Sequence, residues 1–162
     1  MGRSAGGHLS ALAAVTCRDT ALDPAAGADG CVQAAAIWYG VFDFAEMAAA
    51  PDGNNAGARL LGCDGPCPAD KIRAVSPIAH IDAKAPPFLL IHGEQDKVVP
   101  VAQSRIGEAA LRKARVPVEA IFIPGVDHSF IGATPAATRA ATLKATNATF
   151  DFFHARLGVK RP

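Results

Sequence analysis

Apolar residues fall along this chain in short unbroken runs that alternate with stretches of helical period. The runs are "VQAAAIWYG" at 32–40, "PPFLLIHG" at 86–93 and "VEAIFIPG" at 118–125, each punctuated by glycine or proline. Runs of this kind predict strands covered on both faces. Residues 4–15, "SAGGHLSALAAV", predict a helix opening from a glycine-rich turn, with Leu9, Leu12 and Ala13 at helical spacing. Residues 102–115 predict an amphipathic helix with Ile106, Ala110, Leu111 and Ala114 inward. Residues 135–157 predict a long helix, N-capped by Thr134, with Pro135 at its first position and Leu143, Phe150, Phe153 and Leu157 on its buried face. Strand and helix alternate, which is the pattern of a mainly parallel sheet of about three strands flanked by helices, an α/β fold. The segment at about 41–75 is irregular and rich in Ala, Gly and Pro, with a short helix around "FAEMAAA". It reads as a cap-like insertion on a single domain.

Composition narrows the function more than the fold. The 162 residues carry a net charge of +1 with no long run of one sign. That argues against a nucleic-acid partner, and no apolar stretch is long enough for a membrane span. "MGRSAGGHLS" has no apolar core of a signal peptide. The four cysteines suggest two pairs. "GCDGPCP" is a tight turn that brings Cys63 and Cys67 within disulfide reach, and Cys17–Cys31 would close the polar loop between them. Free structural thiols are the other reading; no metal-ligand spacing accompanies the cysteines. Paired, they point to a secreted or periplasmic protein, and unpaired to a cytoplasmic one.

Three polar residues stand at the carboxyl ends of apolar runs or in a turn of known chemistry, where open α/β sheets build their sites. Ser4 is the centre of G-R-S-A-G, a match to G-x-S-x-G; Asp96 follows the second run in "IHGEQDKVVP"; His128 follows the third in "IPGVDHSF". A serine hydroxyl needs an imidazole to take its proton, and the imidazole needs a carboxylate to hold its tautomer and charge. The order Ser, Asp, His is that of the α/β hydrolases. The N–H of Ala5, the residue after the serine, is the expected oxyanion donor. Singly, each residue has a plainer reading: a chance motif, a helix-capping aspartate, a loop histidine. Together and in order they point to nucleophilic catalysis, with Glu94 as a substitute acid and Asp127 disfavoured because it adjoins His128. Trp38 and Tyr39, at the end of the first run, are candidates for a substrate pocket or for the core. His92 reads as support for the acid loop, and His8, His80 and His154 as packing or surface groups. Asn147-Ala-Thr149 matches a glycosylation sequon but falls inside a helix. No metal or other cofactor is called for.

The stretches "GRSAGGHLS", "VQAAAIWYGVFDF", "SPIAHI", "PPFLLIHGEQDKVVP" and "GVDHSF" together resemble the α/β-hydrolase carboxylesterases. The resemblance is to the bacterial and fungal feruloyl-esterase-like subgroup, near the hormone-sensitive-lipase-type esterases and the prolyl-oligopeptidase-like hydrolases. It implies Ser4 as nucleophile, Asp96 as acid, His128 as base and a small-molecule ester as substrate. The match begins at the elbow. The strands and the H-G-G-type loop that precede the elbow in the family have no counterpart here. That leads to the expectation that the strand entering the elbow is absent and that the 32–40 strand shows an apolar edge. A homo-oligomer, or a partner supplying the other part of the sheet, is then expected, with impaired turnover. A non-catalytic fragment serving as an oligomer or binding module, and a fragment of a prolyl-oligopeptidase-like peptidase, are the alternatives.

Overall fold

The computed structural model describes residues 1–21, 30–47, 56–63 and 66–158. Its centre is a four-stranded sheet, β1 (Gly2–Arg3), β2 (Ala35–Trp38), β3 (Phe88–Gly93) and β4 (Val118–Ile123), in sequential order. All neighbours are parallel, with Ile37 beside Gly2 and Leu90, and Leu90 beside Ala120. The sheet thus has one strand more than the apolar runs indicate. β1 is too short to leave a periodic signal, yet it pairs Gly2 with Ile37 and Arg3 with Trp38. β2 is therefore not an edge, and its four residues are all buried, contrary to the expectation of an exposed apolar strand there. β2 is also shorter than the run that marks it, since Val32 and Gln33 are exposed.

Alternate residues of the strands feed two cores, because successive side chains point to opposite faces. Ala35, Ile37, Phe88 and Leu90 pack with Ala11 and Ala14 of α1 (Ala5–Thr16) and Leu111 of α5 (Ala102–Lys113). Ala36, Trp38, Leu89, Ile91 and Ile123 pack with Ala141, Ala145 and Phe152 of α6 (Pro135–Leu157). Both faces are covered, which is why β2 and β3 read as unbroken apolar runs. Each large side chain buried this way is worth about 1.5–3 kcal/mol.

The helix faces differ from the periodic reading. α1 buries Gly7, His8, Ala11 and Ala14, while Leu9 is 59% exposed. A Cβ on Gly7 would lie 3.0 Å from Trp38 O and 3.1 Å from Gly40 Cα. The helix lies so close to the β2 loop that only its smallest residues fit between them. α5 buries Gln103, Ser104, Gly107 and Leu111, with Ile106, Ala110 and Ala114 half-buried. α6 is capped as expected: the Thr134 hydroxyl accepts from Ala137 N–H, Pro135 opens the helix and Gly158 ends it in the left-handed conformation. Its inward side is Ala141, Ala145, Thr149 and Phe152. Leu143, Phe150 and Leu157 are exposed, and Phe153 is half-buried at the margin of the core.

Between β2 and β3 lie α2 (Phe44–Met47), α3 (Ala56–Leu61), α4 (Ala69–Val75) and a 3₁₀ turn at Pro77–His80. The segment is more helical than its composition suggests. Val41, Phe44, Met47 and Val99, with Ile72 and Val75, form a separate small cluster. The end of "FAEMAAA" at 48–50, the loop interior at 22–29 and residues 64 and 65 of "GCDGPCP" lie outside the described residues. Cys17 is joined to Cys31 and Cys63 to Cys67, with Cα atoms 5.2 and 5.5 Å apart.

Candidate active site

The turn from β1 into α1 holds Ser4 in a conformation few residues adopt, φ 52° and ψ −125°. It is pinned on both sides. Ser4 N–H donates to Trp38 O at 3.0 Å, and Ser4 O accepts the helix bond from His8 N–H at 3.0 Å. Gly2 makes the turn sterically possible, because a Cβ there would collide with Gly6 O. A Cβ on Gly6 would meet nothing within 4 Å, so the close approach falls to Gly7. Strain of this kind, at a polar residue in a turn, is characteristic of functional sites.

Asp96 lies in the turn after β3, its side chain fully buried. Oδ1 accepts from Val98 N–H at 2.9 Å and Val99 N–H at 2.8 Å. Oδ2 lies 2.7 Å from His128 Nδ1 and 3.2 Å from His92 Nε2. Burial pulls this carboxyl upward, but the hydrogen bonds from His92, Val99 and His128 outweigh it and hold Asp96 below the ordinary carboxylate value. It is therefore an anion at neutral pH.

His128 opens the 3₁₀ turn at His128–Phe130 after β4. Its Nε2 stands 3.0 Å from Ser4 Oγ. Because Asp96 is an acceptor, the imidazole proton belongs on Nδ1, which turns the Nε2 lone pair toward the serine hydroxyl. Two groups hold this histidine, one at its ring and one at its backbone. The Tyr39 ring meets it edge-on at 4.7 Å. Asp127 Oδ1 accepts from His128 N–H at 2.7 Å and from Lys97 N–H at 2.9 Å, tying the histidine loop to the acid loop. Those two amides hold the Asp127 carboxyl low.

Ser4, Asp96 and His128 thus meet in one row, although the first and last are 124 positions apart. Ala5 is the first residue of α1, where a backbone N–H has no partner within the helix. Trp38 and Tyr39 are buried at 8% and 2% exposure, in keeping with the core reading. Trp38 Nε1–H donates to Thr149 Oγ1 at 3.0 Å, which also places that sequon threonine inside the core. Tyr39 instead backs the imidazole. Glu94 pairs with Arg105 at 3.1 Å, outside the row. His8 is buried, donates from Nε2 to Val75 O at 2.7 Å, and is kept neutral by its burial. His80 bonds Ala74 O at 3.0 Å. The Asp127 contacts carry no motif signal, since they depend on which distant segments the fold brings together.

The sequence model of the BD-FAE family matches residues 1–111. The chain belongs to the BD-FAE family. Esterase LipQ of Mycobacterium tuberculosis is 42% identical to this BD-FAE chain over 137 residues, 80% of this chain and 32% of LipQ. Among solved structures, the propionate-bound esterase Est2 from Thermogutta terrifontis superposes with a TM-score of 0.71 at 26% identity, over 99% of this chain and 56% of that one. A puromycin-hydrolysing peptidase of Mycobacterium tuberculosis superposes with a TM-score of 0.70 at 27% identity, over 98% of this chain and 22% of that one. The architecture is that of the α/β-hydrolase esterases, and the chain spans about a third of the length of the curated relatives it matches.

Proposed function

We propose that this chain carries the reacting groups of a serine carboxylic-ester hydrolase working through an acyl-enzyme. The observation that carries the reading is the contact row Ser4 Oγ–His128 Nε2–His128 Nδ1–Asp96 Oδ2, at 3.0 and 2.7 Å. His128 Nε2 takes the Ser4 proton as Oγ bonds to the ester carbonyl carbon. Asp96 stabilises the imidazolium that forms. Ala5 N–H donates to the developing oxyanion. The imidazolium returns its proton to the leaving alkoxide, and a water activated by the same histidine releases the acid and restores Ser4. Short acyl or aryl esters of the feruloyl type are the proposed substrates; the esterase names of the relatives and the propionate bound to Est2 support an acyl ester. The similarity to the puromycin-hydrolysing peptidase supports amide cleavage as the second reading. Within the proposal, the segment at about 41–75 acts as a cap, and a second copy or a partner covers the apolar faces left exposed.

The test is p-nitrophenyl acetate turnover together with fluorophosphonate labelling, beside Ser4→Ala. Turnover and labelling in the unsubstituted chain, both lost in the variant, are expected. Equal signals from the two chains sink the reading. Labelling without turnover supports a formed triad whose oxyanion hole is incomplete. Rates on acetyl esters, feruloyl esters and prolyl amides then separate esterase from peptidase.

A further inference from the structure

Behind the acid lies a second histidine that the proposed mechanism does not use. His92, next to last in β3, has a side chain with no exposed surface. It points to the same face as Phe88 and Leu90, toward α5. Its Nε2 has two neighbours, Val99 O at 2.9 Å and Asp96 Oδ2 at 3.2 Å. Both are acceptors, so the imidazole proton belongs on Nε2. Nδ1 then presents a lone pair, and Ser104 Oγ on the first turn of α5 donates into it at 2.7 Å. Ser104 is itself fully buried.

We propose that His92 is a positioning residue for Asp96, held by Ser104 with its Nε2–H shared between Val99 O and the carboxylate edge that faces His128. The proposal rests on the triad reading above. A carboxylate has about four acceptor sites. Val98 and Val99 N–H engage Oδ1, and His128 and His92 engage Oδ2. With Oδ1 held by two amides and Oδ2 set between the two imidazoles, the carboxylate is restrained about Cβ–Cγ, and Oδ2 stays aimed at His128 Nδ1. The titratable groups around His92 are Asp96 in the following turn and Tyr39 at the end of β2, its ring at 6.4 Å. His128 lies across Asp96.

The alternative is that His92 only fills space between β3 and α5. The two differ in what substitution changes. His92→Phe keeps an aromatic body and removes the donor. His92→Gln keeps an amide donor at a similar reach. Ser104→Ala keeps His92 and frees its tautomer. Rates on p-nitrophenyl acetate are divided by the number of sites titrated with fluorophosphonate, so that misfolded protein does not count. His92→Phe is expected to lower kcat roughly 10- to 100-fold with KM little changed. Its acid limb should move to higher pH, since an oxygen with one donor fewer favours the His128 imidazolium. His92→Gln should recover most of the loss, and Ser104→Ala should fall between. The far-downfield proton resonance of His128 Nδ1–H gives a readout that needs no turnover. It should weaken or shift in His92→Phe and persist in His92→Gln. An unchanged rate per site, an unmoved acid limb or an unaltered resonance in His92→Phe overturns the proposal. Failure of the unsubstituted chain to label at Ser4 overturns the triad reading instead, and the resonance still decides the role of His92.

Discussion

A buried carboxylate is normally a liability, and Asp96 shows how hydrogen bonds reverse that. Its folded-state value lies below the ordinary one. The unfolded chain therefore binds the proton more readily, and stability rises with pH across the interval between the two values. The contribution is complete above the unfolded value of about 4. It is lost as pH falls through the folded value. Melting temperatures of wild type and Asp96→Asn measured from neutral pH downward should converge below about pH 4, because only the wild type loses this term. Parallel curves would show that Asp96 is not a stabilising anion. At this scale much was legible in the sequence. Ser4, Asp96 and His128, which the fold brings into contact, each stand at the end of an apolar run or in a recognisable turn. Asp127 adjoins His128 in sequence, yet its carboxylate also accepts from Lys97 N–H and so ties two loops together. A side chain whose partners are backbone amides of a distant segment leaves no local pattern to read.

Among the elements, the longer strands are legible in the sequence and the helix faces are not, for one reason. A periodicity argument assigns the largest apolar residues to the interior. α1 and α6 do the opposite where they approach the sheet closely. α1 presents Gly7 and Ala11, and α6 presents Ala141 and Ala145, leaving Leu9 and Phe150 at 59% and 61% exposure. Trp38 fills the resulting gap on the α6 side, with Thr149 receiving its N–H. Gly7→Val should therefore be costly, by about 1–3 kcal/mol, because Trp38 O and Gly40 have nowhere to retreat. Leu9→Gln should stay within about 0.5 kcal/mol in the isolated chain. Urea unfolding of the two variants checks the ranking, and the reverse order would return Leu9 to the interior. β1 escaped a sequence reading because two residues carry no period.

The molecule as a whole guards one side better than another. Along β4, Glu119 pairs with Arg156 at 3.0 Å and Arg105 lies 4.3 Å over the Phe122 ring, so charge screens that strand. The outer face of α6 is different. Leu143, Phe150 and Leu157 recur every seventh residue and are 50%, 61% and 46% exposed, forming one apolar stripe. The chain is expected to self-associate through this face. Leu143→Lys with Phe150→Lys should shift sedimentation toward the monomer while Ser4 labelling persists. An unchanged distribution would place association elsewhere. The layered α/β plan was legible at this scale because two covered sheet faces impose unbroken apolar runs. The stripe was not, because its residues look like core until α6 is seen to pack by its small side. The 124-position gap between Ser4 and His128 has a further effect during synthesis. Ser4 leaves the ribosome long before His128, and contacts of such separation close late. On the proposed triad, a nascent chain halted anywhere before His128 holds an inert serine, so reactivity toward a fluorophosphonate is expected only once the chain has been both made and folded.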